Sequence, residues 1–110
     1  MDLINDGKRL YFNDENGQLA GEVSYFKLPN KDVEVLERVF VSPALRGQGV
    51  AEDITREFMN FIQENNEQFY PLCPYSKRFL AKYPEFEKYN VQSSISEEDV
   101  RTVQNNIKGE

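Results

Sequence analysis

The sequence predicts a small α/β domain of the α+β type, in which an antiparallel three-strand meander precedes two helices and a further strand. Apolar and polar residues alternate through the first third of the chain, which is typical of half-buried β-strands. After a glycine-containing segment at 42–49, the apolar spacing lengthens to the period of a helix with one buried stripe. The chain has 110 residues, which corresponds to one domain.

The meander is predicted from three runs separated by turn-forming clusters. Residues 9–12 form the first strand, and the sequence Asn-Asp-Glu-Asn-Gly at 13–17 provides the first turn. Alternation over 18–25 predicts the second strand, and 29–32 mark the second turn. The run 33–41 is β-branched and alternating, so we predict that it is the central strand.

The helices follow the glycine-containing segment. Apolar residues recur at i, i+3 and i+4 over 51–62, which predicts a first helix that ends at Asn65. Residues 68–73 are predicted to form a short further strand. A second helix is predicted to begin at Pro74, a residue suited to a first helical position, and to continue through Tyr83.

The C-terminal part of the chain is polar. A thin apolar stripe and an N-cap-like Ser96 followed by acidic residues predict an amphipathic helix over 96–107. We therefore divide the chain into a domain over 1–90 and a polar extension over 91–110. This helix could pack on the domain, contact a partner or remain frayed.

Composition excludes several classes of function. The net charge of −6 argues against nucleic acid or an anionic membrane as a partner, because both require a basic surface. Histidine is absent and there is one cysteine, which excludes Ser-His-Asp and Cys-His catalysis and argues against a metal site. We find no secretory leader pattern and no apolar run of membrane-spanning length. A single thiol cannot form an intramolecular disulfide, so we expect a cytoplasmic protein.

The segment Arg46-Gly47-Gln48-Gly49-Val50-Ala51 carries the strongest functional signal. It joins a strand to a helix, and its glycines allow the backbone to approach a ligand closely. The first N–H groups of a helix lack internal partners, and the macrodipole places partial positive charge there. An anion such as a phosphate can therefore bind at this point without a basic protein surface.

Two common phosphate loops do not fit the segment. A Walker A loop would end in Gly-Lys-Ser/Thr, whereas this one continues Gly49-Val50-Ala51. A dinucleotide-binding fingerprint would place glycine or alanine at the position of Glu52, and it would open the first βαβ unit of the chain. Here an antiparallel meander comes first.

The segment resembles the phosphate loop of the GNAT superfamily. Arg46, Gly49 and Ala51 fill the fixed positions of its signature, Arg/Gln-x-x-Gly-x-Gly/Ala. The element order over residues 7–89 resembles in particular the small stand-alone GNAT-like N-acetyltransferase group, which lacks the N-terminal helices of the superfamily. The segment Leu72-Cys73-Pro74-Tyr75 is similar to the same group.

The resemblance implies an acyl-CoA-dependent N-acyltransferase. Acetyl-CoA would be the co-substrate, no metal would be needed, and the acceptor would be an amine on a small molecule or a protein. In GNAT domains two adjacent strands splay apart, and the pantetheine arm pairs with the first of them. The implied cofactor-binding residues are therefore Val39 and Val41 for the pantetheine arm and Arg46, Gly47, Gln48, Gly49, Val50 and Ala51 for the pyrophosphate.

Three residues are candidates for catalysis, Cys73 as an acyl acceptor and Glu37 or Glu34 as a base. In the resembling group a cysteine lies at the position of Cys73 near the acyl group, where it could accept the acyl group or merely line the pocket. Direct transfer instead requires a base, because an alkylamine is mostly protonated at neutral pH. Glu37 and Glu34 lie on the run 33–41, and strict alternation puts Glu37 on the same face as Val39 and Val41.

Two departures from the family pattern leave other functions open. The small group has His-Thr at the positions of Arg38 and Val39, and many larger GNAT enzymes have a tyrosine acid where Leu80 aligns. Tyr75 lies nearby at the start of the second helix. The alternatives are a non-catalytic CoA or acyl-CoA sensing module, and a small interaction protein whose C-terminal helix docks a partner.

Overall fold

A single mixed sheet organises the computed structural model, which describes residues 2–109. Within these residues, five strands lie in the order β1 to β5: β1 (Ile4–Asn5), β2 (Arg9–Asn13), β3 (Leu19–Lys27), β4 (Val33–Val41) and β5 (Gln68–Pro71). The first four strands pair antiparallel, and β5 pairs with β4 in parallel. The α-helices of this part of the chain are α1 (Val50–Glu64), α2 (Pro74–Lys82) and α3 (Glu97–Lys108). The predicted α/β fold class is confirmed.

The meander differs from the prediction in two respects. It has four strands, because the two-residue strand β1 adds to its edge, and two residues are too short to show alternation in a sequence. The middle of the sheet is β3, whereas β4 lies between β3 and β5. Strand β4 is nevertheless paired on both sides over Glu34 to Leu36.

A β-bulge interrupts the pairing of β3 with β4. Ser24 pairs with Arg38 and Tyr25 pairs with Leu36, so Glu37 has no opposite residue. An extra residue of this kind reverses the alternation of side chains beyond it. The bulge therefore decides which face of the sheet each later residue of β4 occupies.

Two hydrophobic clusters cover the two faces of the sheet. The first cluster lies against α1 and α2 and includes Leu10, Val23, Tyr25, Leu36, Ile54, Phe58, Ile62, Phe69, Phe79 and Leu80. The second cluster lies against α3 and includes Leu28, Val33, Val35, Tyr70, Leu72, Val91 and Val100. Helix α3, expected over 96–107, thus packs on the domain through the fully buried Val100.

No helix among the described residues combines the length and the apolar character that crossing a membrane requires.

Candidate functional site

The turn before α1 depends on glycine at two positions. Gly47 and Gly49 both have φ = 80°, a conformation that other L-residues adopt only with strain. Gly49 is the N-cap of α1 and offers no side chain to cap it. A Cβ atom added at either glycine would meet nothing within 4 Å, so these glycines are required by the backbone and border open space.

The backbone N–H groups of this turn have no partners. The first hydrogen bond of α1 runs from the Asp53 N–H to the Gly49 carbonyl at 3.0 Å. Within residues 2–109, the N–H groups from Gly47 to Glu52 donate no hydrogen bond of normal geometry. Because these donors gather at the positive end of a 15-residue helix, they form a site suited to an anion.

A cleft of about 200 Å³ opens directly over these donors. The structure brings six of the eight residues expected for cofactor binding to its wall: Val41, Arg46, Gly47, Gly49, Val50 and Ala51. Val39 and Gln48 do not line it. The wall of the cleft also includes Leu45 and Glu52, which neither the alternation nor the glycine pattern indicates, and Tyr75, which the sequence places near the start of the second helix.

The two polar side chains of the loop are turned back onto its own backbone. The Arg46 Nε donates to the Val41 carbonyl at 3.1 Å, and the Gln48 Nε2 donates to the Ala44 carbonyl at 3.3 Å. These bonds brace the loop around its short 3-10 turn, Pro43–Leu45. The anion-binding capacity of the loop therefore resides mainly in its backbone.

Strands β4 and β5 separate at the level of the candidate site. Their parallel pairing ends at Leu36 and Pro71, after which the N–H groups of Leu72 and Cys73 both donate to the Leu36 carbonyl. Ser42 donates to Ala20 across β3 and β4, which fixes the register of this antiparallel pair. Alternation along the pair then points the backbone groups of Val39 and Val41 away from β3, into the gap that β5 leaves.

Cys73 lies at the far side of this gap, where β5 leads into α2. Its Sγ accepts the Ser76 N–H at 3.4 Å, so the thiol is the N-cap of α2. The side chain is buried in the first hydrophobic cluster, and the Ser76 hydroxyl donates to the Cys73 carbonyl at 2.6 Å. These contacts give the thiol a clear structural role.

The cleft also contains one acidic side chain, on the first turn of α1. The Glu52 carboxylate accepts hydrogen bonds from the Tyr83 hydroxyl and from the Lys82 Nζ, the latter at 3.1 Å. The hydrogen bond from Tyr83, followed by that from Lys82, lowers the pKa of Glu52. Glu52 therefore remains charged at neutral pH and places a negative charge where we expect an anionic ligand.

Tyr75 lines the same cleft as Glu52. Burial raises the pKa of Tyr75, and the Glu52 carboxylate raises it further. The ring is half-buried against the first hydrophobic cluster. Tyr75 is therefore a protonated hydroxyl at neutral pH on the wall of the cleft.

We expect the Glu52→Gln variant to bind acetyl-CoA, the co-substrate that the sequence resemblance implies, about two- to fivefold more tightly than the natural sequence. The substitution removes a negative charge next to the phosphate donors and releases Lys82, and both changes favour an anion. The measurement is a calorimetric titration with acetyl-CoA at low and at physiological ionic strength. The matched control is Asp53→Asn, which removes an exposed acid of the same helical turn that does not line the cleft. An equal gain in the control would assign the effect to net charge alone.

Glu37 lies on the opposite face of the sheet from the one expected. The bulge puts Glu37 with the second cluster, where α3 packs, whereas Val39 packs against the first cluster. The prediction that Glu37 shares a face with Val39 and Val41 was wrong because strict alternation ignores an inserted residue. Glu37 is still the first residue of β4 beyond the point where β5 diverges.

Glu34 lies on the face of the sheet that strict alternation predicts for Glu37. Its buried carboxyl group shares a hydrogen bond with the buried Glu67, and the Glu67 Oε2 lies 3.3 Å from the Lys27 Nζ. Burial, followed by the charge and hydrogen bond of Glu67, raises the pKa of Glu34 to about 7. Glu34 is part of the structural core at the end of β4 far from the loop.

Comparison with known proteins connects this geometry to a family. The sequence model of the family described as GCN5-related N-acetyl-transferase matches residues 9–89. No curated protein matches the chain.

Solved structures share the fold. The chain is similar to the NMR solution structure of a GCN5-like protein from Staphylococcus aureus, with a TM-score of 0.65, 20% identity and coverage of 81% of this chain and 86% of that one. It is also similar to a crystal structure of a GNAT-family acetyltransferase from S. aureus Mu50, with a TM-score of 0.53 and 12% identity. That likeness covers 68% of this chain and 50% of the longer one. At these identities the likeness concerns the fold.

Proposed function

Because the chain belongs to the GCN5-related N-acetyltransferase family, we propose that it transfers the acetyl group of acetyl-CoA to an amine. The observation that carries this proposal is the row of six unpaired backbone N–H groups from Gly47 to Glu52 beneath an open cleft. Such groups fit a pyrophosphate, which presents several oxygens and needs donors that are already in place.

Each part of the site has a separate task in binding. The loop amides hold the pyrophosphate, and Arg46 holds the loop in shape through the Val41 carbonyl. The outward backbone groups of Val39 and Val41 offer a strand edge with which the amides of the pantetheine arm can pair. Acetyl-CoA, when bound, supplies an acyl thioester that is reactive toward an amine.

Proton transfer is the remaining chemical requirement. As the new C–N bond forms and the C–S bond breaks, the departing CoA thiolate takes up the proton that the attacking nitrogen loses. Before this step, an alkylammonium must give one proton to a base so that its nitrogen can attack the thioester. Glu37 stands where the two strands separate and is half-buried. We propose Glu37 as the group that accepts this proton, directly or through a water molecule.

The proposal is tested by calorimetric titration with acetyl-CoA and with acetyl-pantetheine, which lacks the pyrophosphate. We expect micromolar binding of acetyl-CoA and binding at least 100-fold weaker for acetyl-pantetheine, because the loop amides then have no anion to hold. Equal affinities would contradict the loop as the principal binding element. Absence of acetyl-CoA binding would contradict the function itself.

We expect Cys73→Ala to retain acetyl-CoA binding and acetyl transfer while losing about 1–2 kcal/mol of unfolding free energy. The loss follows from the buried thiol and the N-cap bond to Ser76 that the substitution removes. Chemical denaturation measures the stability, and mass spectrometry after incubation with acetyl-CoA reports any acetylated cysteine. A stable acetyl-cysteine, together with loss of transfer in the variant, would instead identify Cys73 as an acyl carrier.

An unpaired thiol suits a reducing compartment, so we propose a cytoplasmic location.

A further inference from the structure

Helix α3 lies outside the segment that the family model matches. That segment ends at residue 89, whereas α3 spans Glu97–Lys108. One side of α3 is fixed to the sheet by the buried Val100, and Gln104 on the next turn is also buried, with 7% of its surface exposed. The helix therefore holds Gln104 against the sheet at a defined place.

Gln104 contacts the candidate base. Its Nε2 donates to the Glu37 Oε2, and the Lys108 Nζ lies 3.3 Å from the same oxygen. The Arg101 Nη1 donates to the Gln104 Oε1 at 3.2 Å, which orients the amide so that its nitrogen points to Glu37. Two donors from α3 thus fix one oxygen of Glu37, while its Oε1 accepts no hydrogen bond from any residue between 2 and 109.

A cavity of about 450 Å³ adjoins this carboxylate. Its apolar wall comes from Tyr25, Phe26 and Ile107, the last of which belongs to α3 and is 45% exposed. Most cations that line the cavity already contact carboxylates, since the Arg9 Nε lies 3.3 Å from Asp6 and the Lys27 Nζ lies 3.3 Å from Glu67. An amine that enters with an apolar chain would therefore meet an apolar wall and the Glu37 Oε1, which is held in place through the partners of Oε2.

We infer that α3 completes the acceptor side of the site, with Gln104 as a positioning residue that holds Glu37 Oε2 so that Oε1 faces an alkylamine in this cavity. The inference rests on the proposed function. It assigns the C-terminal extension 91–110 a part in the reaction, and it names amines with an apolar alkyl chain as the class of acceptor.

The test compares variants of the full chain in acetyl transfer to n-butylamine, measured as release of the CoA thiol. We expect Gln104→Met, which keeps the size of the side chain but loses the donor, to lower kcat about tenfold and to leave the Kd for acetyl-CoA unchanged. Gln104→Lys keeps an N–H donor of similar reach, and we expect it to retain most of the activity. The matched control is Asn106→Leu, which removes an exposed amide of α3, and we expect no change in kcat.

A double-mutant cycle with Glu37→Gln separates positioning from a purely structural role. If Gln104 acts through the Glu37 carboxylate, Gln104→Met changes kcat by less than twofold in the Glu37→Gln background. An equal loss in both backgrounds, or no loss in the natural background, overturns the inference. Melting temperatures of all variants, measured in parallel, exclude loss of folding as the cause.

Two further outcomes distinguish this inference from the proposed function. In the first, the chain binds acetyl-CoA but does not acetylate n-butylamine, and its NMR signals around Ile107 and Gln104 do not shift when n-butylamine is added. This result overturns the inference and leaves the cofactor site intact. A chain that does not bind acetyl-CoA overturns the proposed function, and the inference falls with it.

Discussion

Replacement of Gly49 by valine is expected to weaken acetyl-CoA binding by at least 100-fold while the domain remains folded. Gly49 has φ = 80° and lies among the six unpaired N–H groups. A β-branched side chain opposes this conformation and projects into the space above the amides, where an added Cβ meets no protein atom within 4 Å. The substitution therefore both displaces the donors and occupies the position of the phosphates. Calorimetric titration measures the loss of affinity.

The control for backbone strain is Gly17→Val. Gly17 has φ = 79° and also borders open space, but it lies in the turn between β2 and β3 and does not line the cleft. We expect both variants to lose about 1–2 kcal/mol of unfolding free energy, and only Gly49→Val to lose binding. Unchanged affinity in Gly49→Val would show that the loop amides do not hold the ligand.

The loop was predictable from the sequence because its signal is local. A strand, two closely spaced glycines and a helix with apolar residues at i, i+3 and i+4 follow one another within residues 39–62. Each of these features determines the conformation of its own stretch of backbone, and the structure has the predicted helix at Val50–Glu64. The backbone of the loop supplies the donors, so their presence does not depend on distant side chains.

The proposed acceptor side was not predictable in the same way, because it depends on two non-local features of the fold. The bulge at Glu37 is set by the pairing of β3 with β4, and it reverses the face that strict alternation gives. Gln104 lies 67 residues after Glu37 in the sequence, and the periodicity of neither segment predicts that the two side chains are in contact. The contact of Glu52 with Tyr83 spans 31 residues of sequence and is also non-local, because it depends on the packing of α2 beside α1.

The second large effect concerns stability. We expect the unfolding free energy of this protein to fall by about 2 kcal/mol as the pH rises from 5 to 8. The folded-state pKa of Glu34 is about 7 because the group is buried beside Glu67, whereas its ordinary value is 4.5. At pH values between these two pKa values, the folded chain binds more protons than the unfolded chain. The contribution of Glu34 to the unfolding free energy is therefore complete below about pH 4.5 and is lost as the pH rises through about 7.

The pH dependence of stability between pH 5 and 8 is simple to interpret in this sequence. Histidine is absent, so no imidazole titrates between pH 5 and 8. We expect Glu34→Gln to flatten the pH dependence and to stabilise the protein at pH 8, because the amide can donate to the Glu67 carboxylate without requiring a shared proton. Urea denaturation at several pH values measures both effects, and the exposed Glu64→Gln is the matched control. A natural chain that becomes more stable between pH 5 and 8, or a Glu34→Gln variant that keeps the natural slope, would contradict a proton shared by these two carboxylates.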